Sequence, residues 1–139
     1  MEKVRWGFIG AGDIAEVMAA ALAKHTNQRV VAVGSQTPGK GKAFADRFGI
    51  ERHYDNYADL ANDPEVDIVY VATLPHTHLA DARHAIRAGK HVLIEKPSTM
   101  TAKDTETLYA EAKAPTAPQR LHACLQRTGT ALPGRKAPQ

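Results

Sequence analysis

Apolar positions along the chain follow two alternating spacings. Short apolar runs rich in β-branched residues predict strands, and these occupy 3–9, 29–35, 66–72 and 91–94, with a shorter strand around His53 and Tyr54. Stretches rich in helix formers predict helices, and these occupy 14–25, 38–48, 57–62, 78–88 and 102–114. The order βαβαβαβαβα predicts an α/β fold, a doubly wound parallel sheet with helices on both faces.

Residues that flank these segments support the predicted helix ends. Thr37 followed by Pro38 is typical of an N-cap and a first helical residue, and Gly49 is typical of a left-handed C-cap. Asn56 is expected to cap the small helix, and Thr101 to open the last one in an arrangement like a capping box. The apolar residues at helical spacing in the first helix are Ile14, Val17, Met18 and Leu22.

Length and composition narrow the class of protein. A chain of 139 residues with 43% hydrophobic content is the size of one domain with one core. No stretch approaches the roughly 20 apolar residues of a membrane span, and the N-terminus does not resemble a secretory signal. A single cysteine, Cys124, supports neither an internal disulfide nor a zinc site. We therefore expect a cytoplasmic protein with no membrane association and no metal.

The positive charge is concentrated in the last residues. The formal net charge is +3, but 115–139 hold four of the 18 basic residues and none of the 15 acidic ones, so the body is close to neutral. This tail has four of the eight prolines, no aromatic residue and neither regular spacing, which predicts that it is irregular. Without aromatic residues for stacking, nucleic-acid binding is not expected.

The strongest chemical signal is the turn after the first strand. In "GFIGAGDIA", Gly10, Gly12 and Ala15 match G-x-G-x-x-(G/A) between a strand and a helix, the arrangement that binds the pyrophosphate of a dinucleotide at the helix N-terminus. A glycine-rich turn that binds nothing is the alternative. The residues expected to contact the cofactor in this Rossmann-like turn are Gly10, Ala11, Gly12, Asp13 and Ile14.

The end of the second strand bears on the choice of cofactor. An acid there holds the ribose of NAD, whereas this chain has Ser35 and Gln36, which can donate hydrogen bonds to a 2′-phosphate. Lys40 or Lys42 could also reach that phosphate. The residues thus favour NADP over NAD, although the lysines could equally belong to a solvated helix face.

Charges follow the fourth long strand directly, in "HVLIEKP". Ligands bind outside the carboxyl ends of such strands, so Glu95, Lys96 and Pro97 are expected at the ligand crevice, or else form only a polar loop. A cation beside a hydroxyl group that is being oxidised favours its alkoxide, and a desolvated lysine can act as acid or base. Lys96 is therefore the expected catalytic residue, with Glu95 orienting its ammonium group.

In these motifs the chain resembles the Gfo/Idh/MocA group of NAD(P)-dependent oxidoreductases. The likeness covers roughly 3–114, and the stretches that carry it are "GFIGAGDIA", "KAFADRFGI", "VDIVYVATLPHTHLADARHAIRAGKHVLIEKP" and the helix after "STMTAKDTETL". The resemblance implies that the loop with Thr73, Pro75 and His78 covers the nicotinamide half of the cofactor. It also implies that Lys96, in the Glu-Lys-Pro signature, contacts both nicotinamide and substrate.

The resemblance also shows what is expected beyond residue 114. Family members continue into another strand and a second domain that holds the substrate pocket, whereas we expect a dinucleotide-binding domain at 1–114 and an irregular tail at 115–139. The abrupt change in composition suggests a frame-shifted or otherwise aberrant gene end, and the alternative is a natural short protein with a disordered basic tail. An uncovered sheet edge would then favour self-association, and the chain alone would be inactive.

Two classes of function remain open at this stage. The first is the cofactor-binding part of an oxidoreductase that transfers hydride with a sugar, polyol or related alcohol, a substrate that binds only if a second domain is supplied. The second is a non-catalytic nucleotide-binding module or an inactive remnant. Both have a nicotinamide dinucleotide as ligand, and only the first requires Lys96.

Overall fold

The computed structural model describes residues 4–95, 101–112 and 121–123. The strands are β1 (Arg5–Ile9), β2 (Arg29–Gly34), β3 (Arg52–Tyr54), β4 (Ile68–Val71), β5 (His91–Ile94) and β6 (Leu121–Ala123). The helices are α1 (Asp13–His25), α2 (Lys40–Phe48), α3 (Tyr57–Ala61), α4 (His78–Arg87) and α5 (Ala102–Ala112), with a short 3₁₀ turn at Pro75–Thr77. The predicted alternation of strands and helices is confirmed.

The six strands form one parallel sheet in the order β3-β2-β1-β4-β5-β6. The order reverses beside β1, since β2 lies on one side of it and β4 on the other. Loops that leave β1 and β4 therefore diverge at the carboxyl edge and open a crevice between them, which is where doubly wound sheets bind ligands. The predicted fold class is confirmed.

Helices cover both faces of the sheet. On one face α1 and α2 pack through Ala15, Ala19 and Phe44 against buried strand residues such as Phe8. On the other face, buried side chains of α3, α4 and α5 pack against strand residues such as Val69. This double coverage explains why the central strands are apolar at nearly every position.

Several predicted helix ends are confirmed. Gly49 ends α2 in the left-handed region, with φ of +67°. The Asn56 side chain accepts a hydrogen bond from the Asp59 N–H at 2.8 Å, and Thr101 Oγ1 accepts one from the Asp104 N–H at 3.0 Å. One predicted start is wrong, because α2 begins at Lys40 after Gly39 rather than at Pro38.

The predicted apolar stripe of α1 also needs correction. Ala15, Ala19 and Leu22 are the residues that α1 buries, whereas Ile14 is 38% and Val17 53% exposed. Small side chains let the helix lie close to the sheet, so the alanines rather than the largest residues mark its inner face. Ile14 lies instead beside the crevice at the helix N-terminus.

The structure also differs from expectation after α5. Leu121–Ala123, within the segment expected to be irregular, pair in parallel with β5 and add a sixth strand. The edge of β5 is thus covered along Val92–Ile94, which corrects the premise for self-association. Among the described helices, none is long and apolar enough to cross a membrane.

Candidate functional site

A cleft of about 540 Å³ opens at the carboxyl edge of the sheet. Its walls come from the β1–α1 turn, the segment after β2 and the segment after β4, with contributions from α3 and α4. The lining residues are Gly10, Ala11, Gly12, Asp13, Ile14, Ser35, Gln36, Thr37, Lys40, Tyr57, Ala72, Thr73, Leu74, Thr77 and Asp81. A volume in this range is typical of cofactor and ligand sites.

The two glycines of the β1–α1 turn have different reasons to lack a side chain. Gly10 has φ of +106°, and a Cβ there would lie 3.0 Å from the Ala72 carbonyl oxygen, so the fold itself requires glycine. Gly12 has an ordinary φ of −96°, and a Cβ there would meet no atom within 4 Å. Space at Gly12 is therefore open toward the cleft, beside the unpaired N–H groups at the start of α1.

The segment after β2 presents polar groups to the same cleft. Ser35 is buried, and its Oγ accepts a hydrogen bond from the Thr37 N–H at 3.2 Å. Gln36 and Lys40 are exposed and line the cleft. Lys42 points elsewhere, because its Nζ donates to Asp46 at 2.9 Å along α2. Of the two candidate lysines, Lys40 is thus the one that lies at the cleft.

The loop after β4 is held from behind by His78. The His78 ring is fully buried, and its Nε2 lies 2.7 Å from the Thr73 carbonyl oxygen, which can only accept, so Nε2 carries the proton. The Thr73 hydroxyl donates to Asp81 Oδ2 at 2.5 Å. Thr73 lines the cleft as predicted, whereas His78 fixes its backbone and does not line the cleft.

Two buried residues of the cleft were not singled out from the sequence. Tyr57 and Asp81 are 8% and 5% exposed, and both line the cleft. The pattern that could have indicated Asp81 is an acidic residue among the buried positions of α4, which include Ala82 and Ala85. Tyr57 is the first residue of a five-residue helix, and nothing in that short pattern distinguishes it from a core aromatic residue.

Glu95 is not among the residues that line this cleft. It is 6% exposed, its carboxylate accepts a hydrogen bond from the Tyr70 hydroxyl, and its N–H donates to the Val71 carbonyl at 3.0 Å. These bonds fix the point at which the chain leaves β5 at the carboxyl edge. Lys96 and Pro97 follow Glu95 in sequence and lie outside the described residues, so their expected places stay predictions.

Most of the predicted cofactor-binding residues thus come together in one cleft. The ones that line it are Gly10, Ala11, Gly12, Asp13, Ile14, Ser35, Gln36 and Thr73. Pro75 begins the 3₁₀ turn above the loop and does not line the cleft. The arrangement combines the N-terminus of α1 with polar side chains and the cationic side chain of Lys40, which suits a long phosphate-bearing ligand.

The chain belongs to the Gfo/Idh/MocA family, described as an oxidoreductase family with an NAD-binding Rossmann fold. The match to this family covers residues 4–118 of the chain. The turn with Gly10 and Gly12, the loop with Thr73 and the end of β5 all lie within it. The family expected from the residues is confirmed.

Two relatives show how much of a family member this chain represents. The 1,5-anhydro-D-fructose reductase of Ensifer adhaerens is 39% identical over 109 residues, which are 78% of this chain and 33% of the relative. An uncharacterized oxidoreductase of Rhizobium meliloti is 38% identical over 130 residues, 93% of this chain and 35% of the relative. The chain therefore spans about a third of the length of these relatives.

A solved structure supports the same fold. A 3-ketoreductase from Actinomadura kijaniata in complex with TDP-benzene and NADP is 37% identical, with a TM-score of 0.74 over 80% of this chain and 35% of that chain. The Rhizobium match covers 93% of a 139-residue chain, so it extends beyond residue 114 into the segment expected to be unlike the family. The likeness to this relative thus reaches into the segment that also contains β6.

Proposed function

We propose that this chain forms the cofactor-binding part of an NAD(P)-dependent oxidoreductase that acts on a sugar, a polyol or a related alcohol. The observation that carries the proposal is the cleft at the carboxyl edge, where Gly12 leaves open space beside the N-terminus of α1. A pyrophosphate needs this combination of close backbone approach and unpaired N–H donors. The anhydrosugar and the diol in the names of two relatives support the substrate class.

The described residues fit a nicotinamide dinucleotide. The cleft extends from the segment after β2, where α3 and α4 also line it, to the glycine turn and the loop after β4, so an adenosine and a pyrophosphate can follow one another along it. Ile14, Ala72 and Leu74 supply apolar surface, and the polar groups of Thr73 and Gln36 can fix orientation. A bound nicotinamide ring supplies the hydride donor or acceptor.

Lys96 is proposed as the catalytic residue of this site. It follows Glu95, whose backbone pairs with the end of β4 and whose carboxylate is fixed by Tyr70. A neutral lysine amine at that edge would accept the proton of the substrate hydroxyl, and the ammonium group so formed would stabilise the developing alkoxide. Pro97 would restrict the backbone after it. Glu95, which is buried, would act on the ammonium group only through position and charge.

Lys40 supports a proposed preference for NADP over NAD. No acidic residue follows β2 before α2, and Lys40 lines the cleft together with Gln36 and Thr37. A lysine there would pair with a 2′-phosphate, whereas an acid would repel it. The NADP complex of the related 3-ketoreductase is consistent with this choice.

Substrate turnover is proposed to require more protein than this chain contains. The match to the Ensifer relative, which carries a substrate name, covers only 33% of that relative. We therefore expect nucleotide binding by the chain itself and hydride transfer only in the presence of the part that supplies the substrate side.

The proposal is tested by titrating the purified chain with NADPH and with NADH, followed by nicotinamide fluorescence and by thermal shift. Saturable binding is expected, and Gly12→Val should abolish it because the valine fills the open space beside α1. The matched control is Ala20→Val, which places a valine on the exposed face of the same helix. A folded wild-type chain that binds neither nucleotide would overturn the proposal.

A further inference from the structure

One buried carboxylate faces the cleft, and the glycine turn does not account for it. The buried polar residues among those described are Ser35, Asp63, His78, Asp81 and Glu95. His78 and Glu95 are not among the residues that line the cleft, and Asp63 lies at the opposite edge of the sheet. Asp81 is the buried acid that lines the cleft, with 5% of its surface exposed.

Asp81 has fewer partners than a buried carboxylate needs. Its Oδ2 accepts one hydrogen bond, from the Thr73 hydroxyl at 2.5 Å. Within the described parts of the chain, no hydrogen bond reaches Oδ1 and no cation forms an ion pair with the carboxylate. An ionised carboxylate can accept about four hydrogen bonds, and burying one with a single donor is unfavourable unless a ligand supplies more.

Asp63 shows what a satisfied acid of the same burial looks like in this protein. It is also 5% exposed, yet both of its oxygens have donors. The Tyr54 hydroxyl donates to Oδ2 at 2.8 Å and the Glu65 N–H donates to Oδ1 at 2.8 Å, with Arg52 at 3.5 Å. Equal burial with unequal partners indicates that Asp81 is built for a donor from outside the chain.

Tyr57 identifies the half of the cleft in which Asp81 lies. Burial raises the pKa of Tyr57, and the nearby Asp81 carboxylate raises it further, while the Gln36 N–H that donates to the hydroxyl oxygen lowers it. Tyr57 thus stands between Asp81 and Gln36, which comes directly after β2. The end of the second strand is where doubly wound folds hold the adenosine ribose.

We propose that Asp81 recognises the adenosine half of the dinucleotide by accepting a hydrogen bond from a donor group, either the adenine amino group or a ribose hydroxyl. Oδ1 takes that bond while Thr73 holds Oδ2. The inference rests on the proposed function, because it concerns the same cleft. It adds a recognition residue on α4 that the glycine motif and the end of β2 do not contain.

The test compares two isosteric substitutions of equally buried acids, Asp81→Asn and Asp63→Asn. Asp81→Asn should weaken NADH binding about tenfold, since it replaces an ionic acceptor, and should leave the melting temperature of the ligand-free chain unchanged or higher. Asp63→Asn should lower the melting temperature and leave NADH affinity within about twofold. Asp81→Asn that lowers only the melting temperature would mean that Asp81 merely holds Thr73, and would overturn the inference.

A reduced dinucleotide with hypoxanthine in place of adenine distinguishes the two donors. If Asp81 accepts from the adenine amino group, the wild-type chain should prefer NADH, and Asp81→Asn, which can donate through Nδ2, should prefer the hypoxanthine analogue. If Asp81 accepts from the ribose, wild type should bind both alike, and the substitution should weaken both equally. Unchanged binding of both nucleotides by Asp81→Asn overturns the inference alone, whereas a wild-type chain that binds neither overturns the proposed function with it.

Discussion

The two edges of the sheet use polar residues in opposite ways. At the amino edge, Lys90 Nζ donates to the carbonyl oxygens of Asp63 and Val66 at 2.8 and 2.7 Å, and the Arg5 side chain donates to both oxygens of Asp67. At the carboxyl edge, Asp81 has one donor, and the Cβ position of Gly12 is empty. Polar groups that satisfy one another stabilise the fold, and groups left short of partners are available to a ligand.

This contrast assigns a different consequence to mutations at each edge. Substitutions at the amino edge should lower the free energy of unfolding and leave nucleotide affinity intact. Substitutions in the cleft should change affinity with little effect on stability, because functional sites are commonly less than optimal for stability. Gly10 is an exception, because it lines the cleft and its backbone conformation also requires glycine.

The largest effect on stability is expected at Gly10. Gly10→Val places a branched side chain at φ of +106°, with its Cβ 3.0 Å from the Ala72 carbonyl oxygen. Strain and overlap together should cost about 3 kcal/mol or more of the free energy of unfolding. Urea unfolding measures the cost, and Gly12→Ala, which meets no atom within 4 Å, is the control that should unfold like wild type. Equal stability of the two variants would contradict the division of roles between these glycines.

The next effect tests the amino edge directly. Asp63→Ala removes the acceptor for the Tyr54 hydroxyl and for the Glu65 N–H, both of which bond at 2.8 Å. Leaving such groups unpaired should cost about 2 kcal/mol of unfolding free energy. Asp46→Ala is the control, because Asp46 pairs with Lys42 on an exposed helix face and should cost less than about 1 kcal/mol. A loss of nucleotide affinity in Asp63→Ala at full stability would break the comparison between the edges.

The sequence predicted the carboxyl edge better than it predicted the details of packing. Glycine spacing and strand ends are local signals, and the residues that they single out, Gly10, Gly12 and Ser35, line one cleft. Their contact with a cofactor stays a prediction. Asp81 and Tyr57 were missed because their significance depends on α3 and α4 meeting beside β2, which no local pattern records. A long-range contact of this kind becomes visible only after folding.

Two errors in the predicted fold have physical causes. In α1 the largest apolar residues were expected to pack, but the close approach of helix and sheet favours Ala15 and Ala19 and leaves Val17 exposed. In the tail, proline content obscured the alternation of "LHACLQ", of which Leu121–Ala123 form β6. A three-residue strand draws its stability from β5 rather than from its own composition, so sequence alone marks it weakly.

A smaller effect sharpens the comparison within the cleft. Lys40→Gln should weaken NADPH binding about fivefold and leave NADH binding unchanged, because a partly solvated charge pair contributes on the order of 1 kcal/mol. Lys42→Gln is the control, since Lys42 pairs with Asp46 away from the cleft. Fluorescence titration with both nucleotides measures the ratio. Equal losses for NADPH and NADH in Lys40→Gln would remove the argument for a 2′-phosphate site.

The smallest effect concerns the exposed part of the amino edge. Arg5 donates to the Asp67 carboxylate through Nε at 3.1 Å and Nη2 at 3.0 Å, and these hydrogen bonds lower the pKa of Asp67 despite partial burial that opposes them. A lowered folded-state pKa means that the stabilisation is fully present above the unfolded-state pKa and is lost as the pH falls through the folded-state value.

Both side chains are about 40% exposed, so solvent screening limits the contribution of this pair. Asp67→Asn should therefore destabilise the chain by less than about 1 kcal/mol at pH 7. The difference from wild type should shrink as the solution is acidified below about pH 4, because the wild-type carboxylate then becomes protonated too. Urea unfolding of both proteins across that range measures the difference, and a gap that stays constant into acid would show that the charge of Asp67 contributes nothing. The same titration in the presence of saturating nucleotide should give the same gap, since the Arg5–Asp67 pair lies at the edge opposite the cleft.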